Sequence, residues 1–252
     1  MSKIGGERRE NLRRGVYLLP NLITTGSLFA GFYGIVASMN GKYDVAAWFI
    51  LISAVFDVLD GKVARLTNTT SQFGVEYDSL ADLVSFGVAP AILMYTWALQ
   101  PFGKWGWLAA FLYVVCGALR LARFNVQVET VESKNFIGLP IPAAASMVAA
   151  CVLLFYHLGG SGTIRMLSVL LLIYVLAVLM VSNVKYYSFK DPELLKKRPF
   201  GMLVLAIVLI IVIVAEPEVM FFLMFITYTM FSPVRAGLAI LRRRRGVDVL
   251  LD

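Results

Sequence analysis

Four aspartates, Asp57, Asp60, Asp78 and Asp82, fall within the stretch Phe56 to Gly87 of an otherwise strongly apolar chain. Asp57 and Asp60 are three residues apart and Asp78 and Asp82 four apart, so in helices each pair shares one face, with Gly61 and Ala64 continuing the first face and Gly74 the second. A carboxylate near the middle of a membrane helix costs about 2.5 to 3.5 kcal/mol. Two carboxylates ~5 Å apart repel by roughly 3 kcal/mol at an effective dielectric near 20, which Lys62 and Arg65 offset only in part. The economical partner is one or two divalent cations. Oxygen donors without His or Cys in the segment favour Mg²⁺ or Mn²⁺. A metal pair suits chemistry on a phosphate; an ion-transport site is the alternative. Gly61 and Ala64 leave room beside Asp60 for a ligand or a close helix, and Arg65 follows as a planar phosphate donor.

The elements that must position these residues are membrane helices. Of 252 residues 59% are hydrophobic and 15% charged, with a mean hydropathy of +0.77. These values exclude an ordinary soluble domain. The long apolar runs lack the alternation of barrel strands, which predicts an all-α polytopic membrane protein. Spans are expected at 20–39, 43–66, 75–99, 105–125, 139–158, 164–184, 201–215 and 217–240, about eight transmembrane helices. The last two are separated at Glu216-Pro217-Glu218. Residues 1–14 form a basic cytoplasmic segment, 15–241 a single integral-membrane catalytic domain, and 242–252 a basic cytoplasmic tail. The first apolar run is too long for a cleavable signal and lacks a small-residue cleavage site.

Charge in the connections sets the expected sidedness. With the N-terminus inside, all of the 23 Lys and Arg residues except Lys42, Lys104 and Arg165 fall at inner ends. Both termini and the aspartates then lie on the cytoplasmic side of the cell membrane, where a soluble nucleotide is available. The net charge of +7 comes largely from these flanks, which fit anionic headgroups better than nucleic acid. Cys116 and Cys151 fall inside apolar spans and are expected as free thiols. His157, the single histidine, stands alone near the outer end of the fifth span.

Asp57, Asp60, Gly61, Ala64, Arg65, Gly74, Asp78 and Asp82 match without departure the D-x2-D-G-x2-A-R-x8-G-x3-D-x3-D signature of the CDP-alcohol phosphotransferases, which this chain therefore resembles. The resemblance implies transfer of a substituted phosphate from a CDP-linked donor to an alcohol, with release of CMP. It implies that Asp57, Asp60 and Asp78 are metal ligands and that Asp82 is a further ligand and the general base. Asp57, Asp60, Gly61, Ala64, Arg65, Gly74 and Asp78 would form the CDP pocket. A six-helix family core with two added C-terminal helices and a homodimer are also expected.

Further stretches resemble the phosphatidylserine synthase branch: Leu19 to Phe32, Asp78 to Ala91, Arg120 to Asn125 (RLARFN) and Gly138 to Ala145 (GLPIPAAA). Arg120 and Arg123 share a helix face at three-residue spacing, and with Asn125 they could hold the carboxylate or phosphate of an acceptor. The expected reaction is CDP-diacylglycerol plus L-serine giving phosphatidylserine and CMP, by metal-assisted in-line attack with Asp82 as base. Glycerol phosphate, inositol phosphate and choline remain open as acceptors.

Overall fold

The computed structural model describes residues 3–67, 71–128, 135–187 and 215–244, with side-chain detail beginning at Leu19. Helix α1 (Lys3–Met39) and α2 (Tyr43–Leu66) form an antiparallel pair joined by a tight turn in which Gly41 takes φ +73°. A third rod runs from Gln72 to Phe102 as α3 (Gln72–Asp82), a π-helical turn (Leu83–Val88), α4 (Ala89–Met94), a second π turn (Tyr95–Leu99) and a 3₁₀ turn (Gln100–Phe102). Then follow α5 (Lys104–Val128), α6 (Ile141–His157), α7 (Leu167–Val181) and α8 (Pro217–Arg244).

Four described helices, Leu19–Met39, Gln72–Phe102, Lys104–Val126 and Pro217–Arg235, are long and apolar enough to cross a bilayer. Helix α2, with 24 residues, is of similar reach but carries the polar residues of the site. Helices α6 and α7 are shorter, with 17 and 15 residues. The expected seventh span, 201–215, and the basic residues Lys134, Lys190, Lys196, Lys197 and Arg198 lie outside the described residues, as does the tail beyond Arg244. The described part is thus a helical membrane protein, without support for a count of eight spans. One departure from an all-α fold is present: Asn135–Ile137 pairs antiparallel with Lys185–Tyr187, in the register Phe136 to Tyr186.

Helix α1 packs along α2 and against the third rod, α2 packs on α6, α5 on α7, and α8 on α6. The buried centre is built from Ile50, Phe86, Leu93, Met94, Trp97, Tyr113 and Ile141. Phe29, Phe32, Phe111, Leu171 and Val178 are exposed, as expected for side chains that meet lipid. Helix α1 and the π turn Leu83–Val88 approach backbone to backbone at Gly31, where an added Cβ would lie 2.6 Å from Cα of Ser85.

Prolines interrupt these helices, and the structure repairs the interruptions from outside. A proline has no N–H for the carbonyl four residues earlier. For Pro90 that carbonyl belongs to Phe86, and the Tyr113 hydroxyl of α5 donates to it at 3.3 Å. For Pro101 it belongs to Trp97, which accepts the Ile164 amide at 2.9 Å. For Pro233 in α8 it belongs to Thr229, and the Tyr186 hydroxyl donates to it at 3.2 Å. Each repair ties two elements at a fixed depth.

Candidate active site

Helix α2 presents Asp57 and Asp60 from one face, and α3 presents Asp78 and Asp82. The start of α3 is set by Ser71, whose Oγ accepts the amide of Gly74 at 3.0 Å as an N-cap. This places Asp78 in the second turn of α3, opposite Asp57 and Asp60. One carboxylate oxygen each from Asp57, Asp60 and Asp78 lies within 4.8 Å of the other two. Asp82, one turn further along, brings its carboxyl group into hydrogen-bonding range of Asp57. The two carboxylate pairs predicted from spacing therefore converge.

Asp60 is 4% exposed, and like charges so close repel strongly where water is scarce. Among the described residues no lysine or arginine nitrogen comes within ion-pair distance of the four carboxylates. The donor set is all oxygen. Two oxygens bound at about 2.1 Å to one Mg²⁺ stand at most ~4.2 Å apart, so the three oxygens need only a small closing movement to share a cation. The residues fit a divalent ion.

The surroundings are polar on one side and close-packed on the other. Thr24 of α1 donates its hydroxyl to Oδ2 of Asp60 at 2.8 Å. Gly74 stands beside Asn21, since a Cβ there would lie 3.3 Å from the Asn21 side-chain oxygen. The Arg65 Nε donates to the Gly61 carbonyl at 2.8 Å, so its guanidinium folds back over the glycine while the residue as a whole stays exposed. Ala64 is half-buried and Lys62 exposed.

The residues expected at the acceptor side separate. Arg120 is 7% exposed, with the Phe124 ring centroid 5.4 Å from its guanidinium carbon. It lies within electrostatic range of Asp82 and Asp57, and of Tyr228 on α8. Arg123 is directed elsewhere. Its guanidinium donates to the carbonyls of Ile137 at 2.9 Å, Val181 and Ser182 at 3.3 Å and Met180 at 3.4 Å, and to the Asn183 side-chain oxygen at 3.5 Å. It caps the end of α7 and holds the ribbon, which its three-residue spacing from Arg120 does not reveal. Asn125 donates to the Ser79 hydroxyl at 2.9 Å, beside Asp78.

Sequence reading also missed two neighbours of the site. Thr24 lies inside the family-like stretch Leu19 to Phe32, but only the register of α1 on α2 exposes its link to Asp60. Tyr228 comes from the last helix, read as added span. His157, expected to stand alone, lies between Glu216 (Nε2 to Oε2, 3.0 Å) and Glu218 (Nδ1 to Oε2, 3.6 Å), joining α6 to the start of α8. Cys116 and Cys151 are free, as expected.

The profile described as CDP-alcohol phosphatidyltransferase matches residues 17–181, which include all four aspartates, Thr24 and Arg120. The chain is 47% identical over 178 residues to the CDP-diacylglycerol--serine O-phosphatidyltransferase of Helicobacter pylori, covering 69% of this chain and 74% of the relative. It is 40% identical over 170 residues to the archaetidylserine synthase of Methanothermobacter thermautotrophicus, covering 67% and 69%. With the Mycobacterium leprae CDP-diacylglycerol--serine O-phosphatidyltransferase it shares 39% over 159 residues, covering 60% and 53%. With its carboxylates converging as the signature requires and its profile match spanning more than half its length, the chain belongs to the CDP-alcohol phosphatidyltransferase family.

Proposed function

We propose that this chain transfers the phosphatidyl group of CDP-diacylglycerol to L-serine, giving phosphatidylserine and CMP. The observation that carries the reading is the meeting of Asp57, Asp60 and Asp78 oxygens within 4.8 Å, with Asp82 beside Asp57. The names of the relatives favour serine, because they share that headgroup while differing in the lipid that bears it.

Asp57, Asp60 and Asp78, with Asp82, would hold one or two divalent cations. Bound there, the cation supplies charge stabilisation for a pyrophosphate and its leaving group. The protein's own residues do the rest. Gly61 and Ala64 leave space along α2 for the cytidine diphosphate, Gly74 lets α3 close on Asn21 at the edge of that pocket, and the exposed Arg65 side chain offers donors to it. Asp82 accepts the proton of the serine hydroxyl as its oxygen attacks phosphorus. The bond from phosphorus to the CMP oxygen breaks in line, so the configuration at phosphorus inverts. A carboxylate is a weak base, so placement of the two substrates contributes most of the acceleration. Arg120, within electrostatic range of Asp82 and Asp57, is assigned to the serine carboxylate, with Asn125 contributing to the wall of its pocket while Arg123 braces the end of α7.

Both termini and the site are placed on the cytoplasmic side of the cell membrane, which the distribution of Lys and Arg supports. The acyl chains then lie between helices or toward lipid, and a homodimer is the expected assembly. The test is incorporation of labelled serine by detergent-purified protein given CDP-diacylglycerol and Mg²⁺ or Mn²⁺. The expected result is equimolar phosphatidylserine and CMP. Incorporation of glycerol phosphate or inositol phosphate with none of serine would overturn the acceptor, and retention at phosphorus would overturn direct attack.

A further inference from the structure

Helix α1 supplies none of the four carboxylates, yet it makes a buried polar seam with the two elements that do. Thr24, 4% exposed, gives its hydroxyl to Oδ2 of Asp60 at 2.8 Å, with the Pro20 carbonyl 3.1 Å away. A hydroxyl has one proton to give, and an ionised carboxylate attracts it more strongly than a carbonyl already engaged in its helix. One turn further along α1, Ser27 meets Ser53 oxygen to oxygen at 2.8 Å, and Ser53 donates back to the Ser27 carbonyl at 3.0 Å. Ser85, from the π turn after Asp82, donates to the same carbonyl at 3.2 Å. All three serines are at most 1% exposed.

These contacts fix the register of α1 against α2 and the third rod without involving any carboxylate. Thr24 is therefore held in place by the serine layer and not by its partner. A bond made at Oδ2 restricts rotation of the Asp60 side chain, whose carboxylate also meets the Gly61 amide. Donors of this kind orient metal ligands in other proteins, and their loss typically costs 10- to 100-fold in metal affinity.

We infer that Thr24 is a positioning residue of the cation site, its hydroxyl holding Asp60 turned toward Asp57 and Asp78 from a helix pinned by Ser27, Ser53 and Ser85. The inference rests on the proposed cation role of the aspartates, and its test separates the two. Mn²⁺ binding to the full-length, detergent-purified chain is followed by loss of the free-ion EPR signal, without substrates. Wild type binds Mn²⁺; Thr24→Val, similar in shape but without the hydroxyl, raises Kd about tenfold or more; Thr24→Ser stays within about threefold. In turnover, the Mn²⁺ concentration for half-maximal rate rises for Thr24→Val while kcat at saturating Mn²⁺ is largely recovered.

Wild-type affinity in Thr24→Val, or a loss in Thr24→Ser equal to that in Thr24→Val, would overturn the positioning role. Absence of Mn²⁺ binding by wild type would instead reject the cation reading beneath it. Should Thr24→Val not survive purification, Thr24→Ala against Thr24→Ser makes the same comparison of hydroxyl present and absent.

Discussion

Asn125 donates its side-chain amide to the hydroxyl of Ser79 at 2.9 Å, fastening the C-terminal end of α5 to α3 one residue beyond Asp78. Net, such a bond contributes about 1 kcal/mol. Asn125→Ala and Ser79→Ala should each lower thermal stability in detergent. Together they should be less than additive, with a coupling of roughly 0.5 to 1.5 kcal/mol in a double-mutant cycle. Full additivity would show that the bond contributes nothing.

The carboxylate cluster should make the cation-free protein self-repelling. In EDTA, Asp57→Asn or Asp78→Asn is expected to unfold at the same temperature as wild type or above it. Wild type should gain about 2.7 kcal/mol at a cation concentration 100 times Kd, and the variants much less. Asp82→Asn should fold and lose phosphatidyl transfer by about a hundredfold or more, the scale of a lost general base. Differential unfolding with and without Mn²⁺, beside the serine-incorporation assay, checks both.

Arg120 and Arg123 should differ in kind. Arg123→Ala leaves the carbonyls at the end of α7 and at Ile137 without their donor, and a loss of about 2 to 3 kcal/mol in stability is expected. Arg123→Lys should recover little, because an ammonium cannot span so many acceptors. Arg120→Gln should leave stability nearly unchanged and raise the KM for serine about tenfold, the scale of a lost charge-assisted bond. A KM effect from Arg123→Lys with intact stability would reverse the assignment.

Tyr113→Phe exposes the repair at Pro90. Deleting the hydroxyl leaves the Phe86 carbonyl without its donor and should cost about 1 kcal/mol. Pro90→Ala in the same chain restores an amide four residues along, so the double variant should recover part of the loss. Measurement by urea or thermal unfolding decides it, and no recovery would mean that the tyrosine acts through packing alone.

Much of this architecture was legible because it is local. Spacings of three and four residues put Asp57 with Asp60 and Asp78 with Asp82, and hydropathy located α2 to its ends. The convergence of the two pairs followed from their cost in a membrane, which demands a shared partner. What could not be read depends on register between distant elements. Thr24 meets Asp60 only once α1 is set against α2. Arg120 and Arg123 share a nominal face, but the longer reach of the second to residues 180–183 sends it away from the first. The ribbon of Asn135–Ile137 with Lys185–Tyr187 is too short to leave a pattern. The contacts of His157 with Glu216 and Glu218 join residues that nothing nearby in the chain relates.

The carbonyls that Pro90, Pro101 and Pro233 leave open have a consequence for how the chain is assembled. A helix threaded alone into lipid with such a gap keeps one acceptor unsatisfied until the right neighbour arrives at the right height. Tyr113, Ile164 and Tyr186 thereby reward one docking height: a helix that docks a turn too high or too low finds no donor, and the alignment that satisfies all three carbonyls is the one in which the four aspartates meet.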